Sequence, residues 1–525
     1  MDKKKIVKSG LWQLMNTAVI FISQLGYYAV MARVINNAKA AFGVLALLNA
    51  CTNFGNVVAE AGMGDALLQR KIVEPGHKNA ALYYSEATAV FFYLILFIAA
   101  PYISHFFDDP PQLILGLRTV GLSFILYSLG SPSINLLQKE FQFKKIFFSD
   151  SLSLLASNVF GIYLAWRGLG VMSLVYSTLF YNVAKLIMLW VMEPLPLKLG
   201  ATMRHWKDLF NYGIILTFIR ITNYVNTSGI NFLIGKLVPI GALGIFERSS
   251  RTVNLPGRYI GDIVQKISLP AMIKIDTDDE LFIMYYKTLS LLHSMLVPVS
   301  VFFAVFSKSL VLILLGPKWL DAVIPLHFMF LALPFQIEAR LADGVMRVKG
   351  LLVNNLRRKI LSMFIMFASI YAGSFYKAPL QGIAVGMLFT AVLNYYIMII
   401  TLRTNVFPND WKKLLLRPFF NGIPLTLYLV LPSLVIFYLG MFLTKDDNVL
   451  SFLVTAGIVG GFLTYAFLKK PKLLGKDFAP IRTVLMEVAN RKKNKKKKAQ
   501  ANGIVSDSDI IVTSVATESD KEITQ

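Results

Sequence analysis

The sequence predicts an all-α polytopic membrane protein of about 14 transmembrane helices. Three observations carry that expectation. Of 525 residues, 55% are hydrophobic and only 16% charged, against about 25% charged in a soluble domain, and the mean hydropathy is +0.58. The apolar residues gather into fourteen runs of the ~20 residues that a ~30 Å hydrocarbon layer demands. Basic residues recur on alternate connecting loops. Together these exclude a soluble enzyme, a nucleic-acid binder and a secreted disulfide scaffold. The lone Cys51 can form no intrachain disulfide. A net charge of +23 in a polytopic chain points to cytoplasmic loops facing anionic lipid, not to nucleic acid.

In order, the runs are Leu11–Ala32, Ala41–Gly62, Ala80–Ile103, Leu113–Leu137, Phe148–Trp166, Gly170–Met192 and Leu209–Leu233. They continue as Ile240–Ile273, Ile283–Phe306, Asp321–Ala342, Ile360–Tyr376, Pro379–Leu402, Pro418–Leu443 and Val449–Leu468. The first is too long for a signal-peptide core and the second follows at once, so it reads as a retained helix. Leu310–Leu315 with Gly316-Pro317-Lys318-Trp319 is too short to span and reads as an interfacial turn.

With a cytoplasmic N-terminus, one side carries 23 basic residues before the tail and the other eight. The rich side includes Lys3, Lys4, Lys5, Lys144, Lys145, Arg357, Arg358 and Lys359. The poor side includes Lys39, Lys236 and the acidic loop with Asp108 and Asp109. Positive charge resists translocation, so both termini are expected in the cytoplasm.

Four domains are expected: an N-terminal lobe (1–200), a C-terminal lobe (201–404), helices 13 and 14 (405–470) and a cytoplasmic tail (471–525). In the tail, Leu474, Phe478, Ile481, Leu485 and Val488 recur at helical spacing, suggesting a surface-lying amphipathic helix. The lysine-rich run Arg491–Lys498 follows, an anchor for anionic headgroups, and then a polar stretch expected to be disordered. A weak repeat supports the lobes. Gly10 through Phe42-Gly43-Val44 is echoed by Gly213 through Leu243-Gly244-Ile245.

Polar residues inside spans carry the functional signal, because a charge at the bilayer centre costs about 2.5–3.5 kcal/mol on insertion scales. In the eighth run, Arg248, Arg251, Arg258, Asp262 and Lys266 follow one helical face for ~27 Å, interrupted by Pro256-Gly257. In the seventh, Arg220, Asn223, Thr227 and Asn231 share a face; in the second, Asn49, Asn53, Asn56 and Glu60 do. Gln13, Asn16, Gln24 and Tyr27 lie in the first. Seam polar residues can merely glue a bundle, at ~0.6 kcal/mol each. The arginine excess over carboxylate in the eighth run favours a hydrated pathway for an anionic substrate, which guanidinium forks bind bidentately. Arg220, Arg248, Arg251, Arg258, Asn223, Asn49, Asn53 and Asn56 are thus the candidate substrate-binding residues. Glu60, Asp262, Lys266 and Glu338 are candidates for ion coupling or gating, Glu338 within a cluster with Gln336, Arg340 and Asp343. No catalytic set stands out, and the five scattered histidines lack metal-ligand spacing. The absence of a GxxxxGK[ST] sequence argues against ATP hydrolysis by this chain.

Several stretches resemble a known family. Ala61-Gly62-Met63-Gly64-Asp65-Ala66-Leu67-Leu68-Gln69-Arg70-Lys71 is similar to the turn after helix two of polysaccharide transporters, the Wzx-type flippases. Leu136-Leu137-Gln138-Lys139-Glu140-Phe141-Gln142-Phe143-Lys144, Leu243-Gly244-Ile245-Phe246, Leu269-Pro270-Ala271 and Leu315-Gly316-Pro317-Lys318-Trp319 fit the same pattern. The resemblance covers about residues 1–420. It implies membership of the multidrug/oligosaccharidyl-lipid/polysaccharide exporter superfamily, and with it two six-helix lobes with a central, V-shaped cavity formed by helices one, two, seven and eight, plus two extra helices. It also implies translocation of undecaprenyl-diphosphate-linked oligosaccharide repeat units across the bacterial cytoplasmic membrane. No cofactor is implied beyond a coupling H+ or Na+. The expected partners are the lipid-linked anionic oligosaccharide, anionic lipids at the tail and polysaccharide polymerase machinery. The rival readings are a multidrug-type exporter, disfavoured by the basic residues, and a membrane polymerase, disfavoured by the lack of a sizeable outer loop for its acid/base groups.

Overall fold

The computed structural model describes residues 3–60, 74–194, 224–225, 228–273, 275, 277–407, 417–443 and 448–469. Among these every regular element is a helix. The first six are α1 (Lys3–Val34), α2 (Ala38–Glu60), α3 (Pro75–Phe106), α4 (Leu113–Lys139), α5 (Phe143–Trp166) and α6 (Val171–Met192). The helical stretch 228–237, the end of the seventh run, is α7. Then follow α8 (Ile240–Ile273), α9 (Asp278–Val305), α10 (Val323–Val348), α11 (Leu352–Ser374), α12 (Pro379–Asn405), α13 (Arg417–Leu443) and α14 (Asn448–Lys469). The expected interfacial turn is a short helix, Ser307–Leu314, followed by a 3-10 turn, Pro317–Ala322. Eight helices among the described residues are long and apolar enough to cross a membrane.

Several helices outrun their apolar windows. α1 starts at Lys3 and α11 at Leu352, so Arg357, Arg358 and Lys359 are helical. Hydropathy marks only the part in hydrocarbon. Lys and Arg are good helix formers, and they continue the helix into the headgroup layer. Local chemistry sets other ends. The Thr277 hydroxyl accepts the Glu280 amide N–H at the start of α9 (3.4 Å), where Asp278, Asp279 and Glu280 face the positive end of the helix dipole. Gly350, at φ 69°, closes the turn between α10 and α11 in the left-handed region.

The contacts group the chain into two bodies, one reaching Glu247 and one beginning at Arg248, inside α8. In the first, α3 packs on α4, α5 on α6 and α1 on α5, with α2 against α3 and α4. In the second, α9 packs on α13, α11 on α12, and α10 on α9 and α12. Large apolar side chains stay exposed along these helices: Phe91, Leu94, Ile98 and Tyr102 on α3, and Val435, Tyr438 and Phe442 on α13. A continuous apolar exterior on spanning-length helices is what a hydrocarbon solvent selects.

The loop between α3 and α4 is tied to the segment before α8. Lys236 Nζ lies 3.2 Å from Asp108 Oδ1 and sits over the Phe106 ring, while Phe107 packs on Phe232. Hydrogen bonds with Ser104 and His105 hold the neighbouring Asp109 carboxyl below its ordinary range. The tail, the turn after α2 (61–71) and the first part of the seventh run lie outside the described residues.

Candidate functional site

In the first body the polar face of α2 is accessible: Asn53 is exposed, and Asn49 and Asn56 are half-buried. Glu60 ends the same helix, and its side chain lies outside the described residues, as do Arg220 and Asn223 altogether. Behind α1 stands a polar cluster that sequence reasoning missed. Lys185 Nζ lies 2.7 Å from Asp150 Oδ1, Asn16 Nδ2 donates to Asp150 Oδ2 (2.9 Å), and the Tyr181 hydroxyl donates to Asp150 Oδ1 (3.3 Å). Asp150 sits in α5 and Lys185 in α6, so the network links three helices. Its signal was in the sequence as two charges inside apolar runs, which an inventory of loop charges passes over.

In the second body, Arg248 is buried (3% exposed) and Arg251 half-buried on α8. Arg258, Asp262 and Lys266 share that helix, and their side chains lie outside the described residues. Gly257 shows which way the helix faces. A Cβ there would run into the Leu333 side chain of α10. At ~100° per residue, position 257 lies about 180° from position 248 and the positions in register with it. Arg248 therefore lies on the side of α8 away from Leu333 of α10.

Glu338 of α10 meets a partner that spacing could not reveal. His293 Nε2 of α9 stands 2.6 Å from Glu338 Oε1, and neither side chain has any solvent exposure. His293 Nδ1 lies 3.1 Å from the Leu289 carbonyl and donates to it. Tyr285 and Tyr395 are buried beside the pair. Asp343, from the same sequence cluster, binds Arg358 of α11 (2.5 Å) and Lys359 (3.1 Å), while Arg358 also donates to Asn394 of α12 (3.0 Å). Other histidines act locally. His77 accepts the Glu74 amide at the start of α3 (3.3 Å), and His327 Nδ1 lies 2.8 Å from the Ala304 carbonyl. Among the described residues no three metal-ligating side chains converge.

Charged groups thus sit deep within long helices, several of them in compact pairs, and α2 carries an accessible polar face. Residues 30–324 match a family described as polysaccharide biosynthesis protein. The chain belongs to that family. Two relatives cover most of its length. It is 22% identical over 494 residues to a membrane protein in the cps region of Klebsiella pneumoniae, covering 92% of this chain and 99% of the relative. It is 20% identical over 439 residues to the lipopolysaccharide biosynthesis protein WzxC of Escherichia coli, covering 83% and 87%. Among solved structures, the lipid II flippase MurJ matches with a TM-score of 0.62 at 14% identity, over 86% of this chain and 100% of MurJ. An inward-facing multidrug transporter of the MATE family, in the MOP superfamily, matches at 0.58 and 12% identity, over 73% and 94%. The fold is therefore that of these transporters, and the family makes this chain a polytopic membrane protein of polysaccharide biosynthesis.

Proposed function

We propose that this protein is a flippase, not an enzyme. It carries undecaprenyl-diphosphate-linked oligosaccharide repeat units across the bacterial cytoplasmic membrane by alternating access, with both termini in the cytoplasm. The observation that supports this most is the basic register of α8 in a polysaccharide biosynthesis family. Arg248 is buried on the long helix α8, on the side away from the approach of Leu333 of α10 to Gly257. Ionisable residues within the helices of a membrane transporter characteristically face the bundle interior or a hydrated cavity and mark substrate pathways. Guanidinium binds diphosphate and acidic sugars in bidentate geometry. Arg220, Arg248, Arg251 and Arg258 would hold the anion, and Asn49, Asn53, Asn56 and Asn223 the sugar hydroxyls. Glu60, Asp262, Lys266 and Glu338 would serve coupling or gating. The relatives WzxC and the teichuronic acid biosynthesis protein TuaB of Bacillus subtilis, 23% identical over 332 residues, carry names from the same kind of pathway.

The multidrug reading shares the fold, but cationic drugs require an acidic or apolar site, and the α8 register is basic. The test is an Arg248→Ala/Arg251→Ala/Arg258→Ala triple variant, assayed for surface glycan and for its level in the membrane. Loss of glycan at an unchanged protein level supports the assignment, and full glycan output overturns it.

A further inference from the structure

A cavity of about 380 Å³ lies in the first body, against the side of α2 that bears no asparagine. Cys51, Phe54 and Gly55 form one wall. At ~100° per residue the centre of this trio stands about 180° from the centre of Asn49, Asn53 and Asn56. One helix thus presents hydrogen-bonding amides on one side and a hydrocarbon-lined space on the other. Opposite, α3 contributes a ridge running from Phe92 to Ile103, and the ring of Phe124 closes the inner end. The ring lies so close to α2 that a Cβ at position 55 would overlap it. Tyr224 also lines the space, and its hydroxyl is turned to the Ala50 carbonyl, leaving the aromatic face to the cavity.

The size falls within the ~300–1,000 Å³ of small-molecule sites. Water has no place in it, since a buried water needs two to four polar partners and this wall offers almost none. The mouth opens to the membrane. Ile95, in the cavity wall, is 45% exposed and adjoins the apolar band of Phe91, Leu94 and Ile98 on α3. The occupant must therefore be a hydrocarbon chain entering sideways from the bilayer. An ordinary phospholipid chain gains little by exchanging lipid for an equally apolar wall. A ligand whose polar head is held at the asparagine face while its chain passes behind α2 gains from both sides of that helix at once.

We infer that this cavity is the seat of the polyisoprenoid chain of the lipid-linked substrate, beside the head and not loose in the bilayer. This deepens the flippase reading and rests on it. The full-length protein in nanodiscs of phosphatidylethanolamine and phosphatidylglycerol would be photolabelled with a diazirine-bearing polyprenyl phosphate, and the labelled residues mapped by mass spectrometry. The expected result is label concentrated on Cys51, Phe54 and the 92–103 stretch of α3. It should fall at least tenfold with excess unlabelled polyprenyl phosphate and in an Ala99→Trp variant that fills the space. A second filling variant, Leu96→Trp, guards against misfolding of the first. Label spread evenly over the lipid-facing helices overturns the inference. So does cavity label given equally by a diazirine phosphatidylglycerol and not displaced by polyprenyl phosphate. Either result in protein that still sustains glycan export removes the chain site and leaves translocation standing. Loss of the α8 arginine effect on export removes the translocation reading independently of the label.

Discussion

Gly43 and Gly244 each stand where the other's helix leaves no room for a side chain. A Cβ on Gly244 would lie 2.7 Å from the Gly43 amide nitrogen and would overlap the Lys39 carbonyl. A Cβ on Gly43 would lie 2.8 Å from the Ile240 carbonyl carbon and overlap its oxygen. Gly43 is to Gly244 as Lys39 is to Ile240 in sequence offset, so the first turns of α2 and α8 cross with local two-fold symmetry. The two glycines are the ones that the internal repeat aligns.

Backbone, not flexible side chain, blocks these positions. Overpacking costs about 1–3 kcal/mol even where neighbours yield, and here they cannot. Gly43→Leu or Gly244→Leu is expected to reduce glycan export at least tenfold and to lower the melting temperature of the purified protein. Unchanged export and melting in both variants would show that the helices do not hold this contact.

The buried His293–Glu338 pair should behave asymmetrically. Removing one partner strands the other without its charge or hydrogen-bond complement, which costs about 3–5 kcal/mol. Glu338→Ala is therefore expected to be poorly folded, Glu338→Gln milder, and His293→Leu/Glu338→Leu close to wild type in thermal unfolding. If the pair takes part in coupling, the folded double variant will export less glycan than the wild type. Wild-type export by the folded double variant would reduce the pair to a packing role.

Asp150 and Lys185 are expected to show the same stability pattern without the functional loss. Lys185→Met alone leaves a carboxylate facing Asn16 and Tyr181, whereas Asp150→Leu/Lys185→Met removes both charges. Fluorescence size-exclusion profiles should rank the double variant above either single one, with glycan export retained. A folded double variant that exports nothing would move this cluster into the transport machinery.

The ion pair of Lys236 and Asp108 is largely exposed, with side chains 42% and 81% accessible. Such pairs contribute about 0–1 kcal/mol. Lys236→Ala is expected to leave the melting temperature unchanged within error, and a clear drop would mean that the loop bears more of the fold than its exposure suggests.

Much of the architecture was legible because hydrocarbon is an unforgiving solvent. The helix Ile240–Ile273 has the bounds its sequence run suggested, and the short Leu310–Leu315 stretch was recognisable as non-spanning. The starts of α1 and α11 were not, since hydropathy ends where the headgroups begin while the helix continues. Glu338 was visible as an intramembrane charge. Its partner was not, because His293 is brought to it by the packing of α9 on α10 and no single-chain spacing encodes that. Asp150 and Lys185 were visible only as exceptions inside apolar runs. The cavity behind α2 was hidden for another reason. Its walls are ordinary apolar residues, and only the placement of Phe124 against Gly55 leaves a space beside them.

Depletion of the protein in its native host, followed by measurement of lipid-linked repeat units on each face of the cytoplasmic membrane, tests translocation most directly. Repeat units should accumulate on the cytoplasmic face while their synthesis continues and surface glycan falls. Unchanged sidedness of the lipid-linked pool after complete depletion would contradict the assignment.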